Sequence, residues 1–292
     1  MSANREYKNS VFTLLFSTPD KMLELYNAVS GNNLPSDTPI KIATLTDALF
    51  MDQINDLAFV IEDRLVVLIE HQSTICENMP LRLLLYIARV YERLVDRKSL
   101  YRSRLISLPR PEFYVIYNGT TPMPEKAVMR LSDAFVNCPE ANMAAEDIFA
   151  LELEVSVFNV NVGFNEAVVD RSDNLSGYVR FVDKVREYKN SGMDIKEAIE
   201  AAVKYCISSG ILADFLDKNS REVRGMLFTE FNIDDAKEVW LEEGREEGVA
   251  LGELRAKRQL AKNLLSMGMP VDKISIATGL NAEQIEPMAD AD

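Results

Sequence analysis

The chain reads as an α/β (α+β) protein with a helical C-terminal extension, and three observations predict it. Residues 57–61 and 65–69 are continuous apolar runs separated by Glu62, Asp63 and Arg64, the pattern of a hairpin whose strands are buried on both faces. The apolar run 113–117 stops at Asn118-Gly119, a strand entering a turn. From about residue 175 onward the apolar residues recur at helical spacing.

The other elements follow the same rules. Val11, Leu14, Leu15, Met22, Leu25, Tyr26 and Val29 have helical spacing, and Pro19 divides them into two short helices. Residues 31–39 read as a loop, and 40–51 can hold a strand. Residues 81–98 form a strong helix with Leu84, Ile87, Ala88, Tyr91, Leu94 and Val95 as its expected apolar side. Residues 151–157 alternate Leu151, Leu153, Val155 and Val157 with Glu152, Glu154 and Ser156, so a half-exposed strand with solvated glutamates is expected. Helices are expected at 178–188, 195–208 and 211–217, then a long acidic helix from about Asp234. Gly244, Gly248 and Gly252 weaken that helix by roughly 1 kcal/mol each relative to alanine, which suits a loose stalk. Residues 254–286 read as three short helices punctuated by Gly268-Met269-Pro270 and Gly279, either a helix-turn-helix-like module or a helical cap. Two parts are expected: a main domain over 1–230 and a helical extension over 231–292.

Composition narrows the chemistry. The chain has 292 residues and a net charge of −14, which argues against broad, non-specific nucleic-acid binding. Cys76, Cys138 and Cys206 are far apart with no CxxC pair, as expected of reduced packing thiols in a cytoplasmic protein. The first ten residues are polar and charged, unlike a signal peptide, and no apolar run reaches the about 18 residues of a membrane span. His71 is the one histidine, so two-histidine metal sites and HExxH chemistry are excluded. No Walker A, GxGxxG or GxSxG sequence occurs. Carboxylate remains in quantity, and oxygen-rich sites suit Mg²⁺ or Mn²⁺.

One constellation stands out. A hairpin turning at Glu62-Asp63-Arg64 pairs Ile61 with Leu65, and continuing that register sets Asp56 opposite Glu70. Directly opposed residues have Cβ atoms about 4.5–5.5 Å apart, and Gln72 shares the Glu70 face by the two-residue alternation. Opposed acids there need an offsetting charge: a bound Mg²⁺, solvent, or an ion pair with Arg64 or Arg82. His71 points to the other face and reads as a packed or hydrogen-bonded histidine. On the following helix Arg82, Tyr86, Arg89, Arg93 and Arg97 fall on one stripe. Between Met79 and Arg104 there are seven basic and two acidic residues, a local charge of +5. The stripe fits phosphate-backbone contact, or equally a solvated face with Arg82 tied to a core carboxylate.

Several segments occur in an order that resembles a known family: Tyr7-Lys8-Asn9-Ser10-Val11-Phe12, Asn55-Asp56-Leu57-Ala58-Phe59, Glu70-His71-Gln72-Ser73-Thr74, Asn78-Met79-Pro80-Leu81-Arg82, Tyr117-Asn118-Gly119, Leu131-Ser132-Asp133-Ala134-Phe135 and Val185-Arg186-Glu187-Tyr188. Over about residues 5–230, and also in the glycine-punctuated acidic helix near the C-terminus, the chain resembles the Rpn family (recombination-promoting nuclease/transposase) of the PD-(D/E)XK nuclease superfamily. The resemblance implies a restriction-endonuclease-like core, a mixed sheet flanked by helices in αβββαβ order. It also implies Mg²⁺- or Mn²⁺-dependent DNA endonuclease activity linked to recombination or transposition. Asp56 and Glu70 match the metal-binding acids, with the backbone carbonyl of His71 as a further ligand. Gln72 matches the superfamily's lysine position and would orient the attacking water. Arg82, Tyr86, Arg89 and Arg93 are the expected DNA contacts. Asn55 replaces the superfamily proline. Asn9 stands where relatives often carry an acid, and it adds no negative charge, which counts against a second metal and against full activity. The alternative is a catalytically weakened DNA-binding or assembly protein on a nuclease fold, oligomerising through the acidic C-terminal helix.

Overall fold

In the computed structural model, residues 10–43, 57–136 and 149–281 are described, and the chain divides into two compact units, Met1–Phe231 and Asn232–Asp292. The first is a mixed α/β unit around a six-stranded sheet of order β1-β2-β3-β4-β6-β5. The strands are β1 (Ile40–Ile42), β2 (Leu57–Ile61), β3 (Leu65–Gln72), β4 (Arg110–Tyr117), β5 (Lys126–Arg130) and β6 (Glu154–Asn159). β3, β4 and β6 run parallel; β1–β2, β2–β3 and β5–β6 pair antiparallel.

The β2–β3 hairpin has the expected register, with Ile61 opposite Leu65 and Leu57 opposite Ile69. Glu62 and Asp63 turn it with φ of 50° and 56°, the twist that matches paired strands. β3 continues past the apolar run through Glu70, His71 and Gln72, because β4 pairs with it as far as Gln72–Tyr117. Alternate residues of these strands feed two cores. Phe59, Val67, Ile69 and Ile116 face α1 (Val11–Leu15), α2 (Pro19–Ser30) and α5 (Asp173–Asn190), while Val60, Val66, Leu68 and Val115 face α3 (Met79–Leu94). Pro19 opens α2 at its first turn, where its missing N–H costs nothing. Glu24 ties α2 to α5, its carboxylate accepting from Ser172 Oγ at 2.5 Å and Asn174 N at 3.1 Å.

Several expectations are corrected. The buried side of α3 runs through Met79, Leu83, Tyr86, Ile87 and Val90, whereas Leu94 is 48% exposed and Ala88 is also exposed. The helix begins at Met79, earlier than the apolar pattern suggested, because Pro80 is accommodated in the first turn. β6 starts at Glu154 and is flanked by β4 and β5, so Phe158 is buried as well as Val155 and Val157. Glu152 and Glu154 are exposed, as expected, and are also bonded: Glu152 accepts from Ser132 N and Leu153 N, and Glu154 pairs with Arg130 at 2.9 Å. β5 and the short α4 (Glu166–Val169) were not anticipated; β5 has only 5 residues, three apolar between Lys126 and Arg130. After α6 (Ile195–Ser208), α7 (Ala213–Ser266) is interrupted by non-helical angles at Asn219, close to the expected end of the 211–217 helix, and helix resumes well before Asp234. Leu216, Val223 and Leu227 keep an apolar stripe across the expected gap. In the second unit, the end of α7 and α8 (Val271–Thr278) pack Ala261, Ile274 and Leu280 together; the third expected helix lies outside the described residues. Cys76 and Cys206 are free thiols, and Cys138 lies outside the described residues. No helix among the described residues is long and apolar enough to cross a membrane.

Leu68 is fully buried between the sheet and α3. Leu68→Ala should therefore cost about 2–5 kcal/mol in urea unfolding, while Leu94→Ala on the exposed side should stay within about 0.5 kcal/mol.

Candidate functional site

The carboxyl end of β3 is where the apolar run gives way to Glu70, His71 and Gln72, and pleating sends these side chains to opposite faces. Glu70 and Gln72 lie on the α3 face. Glu70 is 6% exposed, and its Oε1 accepts from Arg82 Nη2 at 2.7 Å. Gln72 Nε2 contacts Met79 Sδ at 2.8 Å, and Arg82 Nη1 contacts the same sulfur at 3.2 Å. The first turn of α3 thus closes over both side chains. Of the charge-offsetting arrangements open to the sequence, the Arg82 ion pair is present.

His71 faces the other core. Its ring stacks on Phe12 with centroids 4.7 Å apart and 14° between planes. Asn118 Nδ2 donates to Tyr178 Oη at 3.0 Å, and Tyr178 Oη and His71 Nε2 share a hydrogen bond at 2.9 Å. Although His71 as a whole is only half-buried, its nitrogens are enclosed. Burial, and then the Arg186 guanidinium, push the ring from 6.5 down to about 3, against a smaller pull from Asn118. Arg186 also donates to the Asn118 carbonyl and, at 2.8 Å, to Asn161 Oδ1. Asn161 Nδ2 reaches the Gly119 carbonyl at 2.9 Å. Gly119 is required here because a Cβ would sit 1.8 Å from the Ser73 carbonyl oxygen. Sequence reading found the Asn118-Gly119 turn but not this network, whose partners are about 25 to 110 residues apart.

Of the expected metal set, Glu70 and the main chain of His71 lie at the end of β3. The Arg64 and Gln72 carbonyls accept from Arg110 N and Asn118 N on the β4 side; by alternation the His71 carbonyl projects to the β2 side. Leu57, the first described residue of β2, pairs with Ile69; Asp56, the second expected acid, lies outside the described residues, as does Asn9. Among the described residues no three His, Cys, Asp or Glu side chains gather into a metal cage. The donors available here, the Glu70 carboxylate and main-chain carbonyl oxygen, are hard oxygens of the kind Mg²⁺ takes. Of the expected DNA contacts, Tyr86 is corrected: it packs in the core at 6% exposure, because the stripe runs along the edge of the buried face of α3. Arg82 is engaged with Glu70, Arg89 is half-buried, and Arg93 is exposed.

Two stability outcomes follow. Arg82→Met leaves the Glu70 carboxylate buried without its cation and should cost about 3 kcal/mol in urea unfolding, more than the Glu70→Gln/Arg82→Met pair costs. Between pH 6.5 and about 3 the unfolded chain takes up a proton that the folded His71 refuses. Its contribution is therefore full above about pH 6.5 and is lost as the pH falls towards 3. Urea titrations at stepped pH should show a shallower acid decline for His71→Gln than for the parent.

Comparison with protein-family models, with curated proteins and with solved structures finds no match for this chain.

Proposed function

We propose that this protein is a divalent-metal-dependent DNA endonuclease of the Rpn type on a PD-(D/E)XK core, linked to recombination or transposition. The observation that carries the reading is the end of β3: a buried glutamate and a glutamine on one face, next to an arginine from the helix that follows. Glu70, the His71 carbonyl and Asp56 would hold Mg²⁺ or Mn²⁺, Asp56 being assigned from sequence alone. The metal, when bound, supplies Lewis-acid activation of water and neutralisation of phosphate charge. The Gln72 amide orients the attacking water but carries no charge. Arg82, already 2.7 Å from Glu70, brings the cation that a lysine at position 72 would otherwise provide.

The same ion pair favours a second reading. A Glu70 already neutralised by Arg82 suits a DNA-binding or assembly protein that keeps the fold without the reaction.

Supercoiled plasmid incubated with Mg²⁺ or Mn²⁺ separates the two readings. The parent should nick or linearise it, while Glu70→Ala and EDTA controls should lower the rate by at least about a hundred-fold. No cleavage by the parent, together with no heat of Mn²⁺ binding in calorimetry, would favour the second reading. Cleavage retained by Glu70→Ala would place the chemistry elsewhere.

A further inference from the structure

Between α3 and β4, residues 97–110 carry five basic residues and no acid. Arg97, Lys98, Arg102 and Arg104 are exposed and form no ion pair among the described residues. Tyr101 and Leu105 are each 91% exposed, an unusual setting for an aromatic ring beside a large aliphatic. Three of the neighbouring acids are already engaged, while Glu92 on α3 is exposed. Asp96 caps the 3-10 turn Arg97–Tyr101, accepting from Lys98 N and Ser99 Oγ. Asp63 is paired with Lys41 at 2.7 Å, and Glu112 with Arg110 at 3.5 Å.

This segment is at a defined distance from Glu70. Arg110 N donates to the Arg64 carbonyl at 2.8 Å, and Arg110 pairs with Leu65. The basic segment therefore joins the sheet at the end of β3 opposite Glu70 and Gln72. The 8 residues of β3 span about 25 Å, and the 16 residues of α3 about 24 Å. Along α3 the cations continue through Arg93 and Arg89 towards Arg82. An anionic membrane would suit cations ringing an apolar tip; a file of cations leading back to a carboxylate site suits a nucleic-acid backbone.

We infer that residues 97–104 form a second DNA-backbone contact, remote from Glu70, which makes recognition depend on duplex length. At 3.4 Å per base pair, a duplex must extend roughly seven base pairs from the Glu70 end to engage both. The inference rests on the DNA reading of the site, and binding can be tested without cleavage.

The test is fluorescence anisotropy of the full chain in EDTA with hairpin duplexes of about 4 and about 16 base pairs. The parent should bind the longer duplex at least about ten-fold more tightly, beyond the gain from extra binding positions. Arg97→Gln/Arg102→Gln/Arg104→Gln, all exposed and expected to leave thermal melting unchanged, should lose that gain while keeping the short-duplex affinity. Its slope of log affinity against log salt on the longer duplex should fall by about 2–3. An unchanged affinity and slope in the triple variant would overturn the inference. So would co-sedimentation of the parent, but not the triple variant, with phosphatidylserine vesicles in the absence of any duplex-length effect. Length-dependent binding without plasmid cleavage would remove the nuclease reading and leave this surface standing. Plasmid cleavage with an unaltered triple variant would do the reverse.

Discussion

Strand β3 is the constraint that the first unit is built to satisfy. Its residues from Val66 to Ile69 are fully buried, and it has a strand on each edge and apolar side chains on each face. An apolar strand of this kind can be stable only if both edges are paired and both faces are covered. β2 reaches one edge through a tight turn. β4 reaches the other only by a crossover, and α3 is that crossover and the cover for one face. The helices α1, α2 and α5 cover the other face, with Glu24 locking α2 to the start of α5.

The same constraint creates the polar cluster. Where the apolar run ends but the ladder to β4 does not, three polar residues remain inside the sheet and need partners. The two-residue alternation divides the work. Arg82 and Met79 serve Glu70 and Gln72 on one face, while Phe12, Tyr178 and Asn118 hold His71 on the other. The strand end is thereby fixed from both sides, a charged pair opposite a neutral hydrogen-bond chain. A neutral imidazole is the form that suits the second environment, since Arg186 is already nearby.

Charge is distributed to match. The chain as a whole is strongly acidic, yet the helix and loop that complete the β3–β4 crossover are basic. Net charge describes solubility and long-range repulsion; contact with a polyanion is decided by the local field of a few exposed cations. Residues 97–104 have that local character because they carry four basic residues and no acid.

The sequence alone determined the hairpin, its register, the break at Pro19, the turn at Asn118-Gly119 and the helical second half, since each rests on local periodicity or turn chemistry. It also placed Glu70 and Gln72 on one strand face and His71 on the other, because pleating follows from spacing. The sheet order, the buried side of α3 with Tyr86 in it, and the early restart of helix after Asn219 were decided by tertiary structure. Several residues of α3 fit an apolar stripe, and only the sheet it covers selects which of them turn inward. β5 was illegible because its short run of 5 residues gains its place from pairing with β6. The choice of Arg82 over Arg64 as the partner of Glu70, and the Asn118–Tyr178–His71 chain, needed distant segments brought together, information that spacing along the chain does not contain.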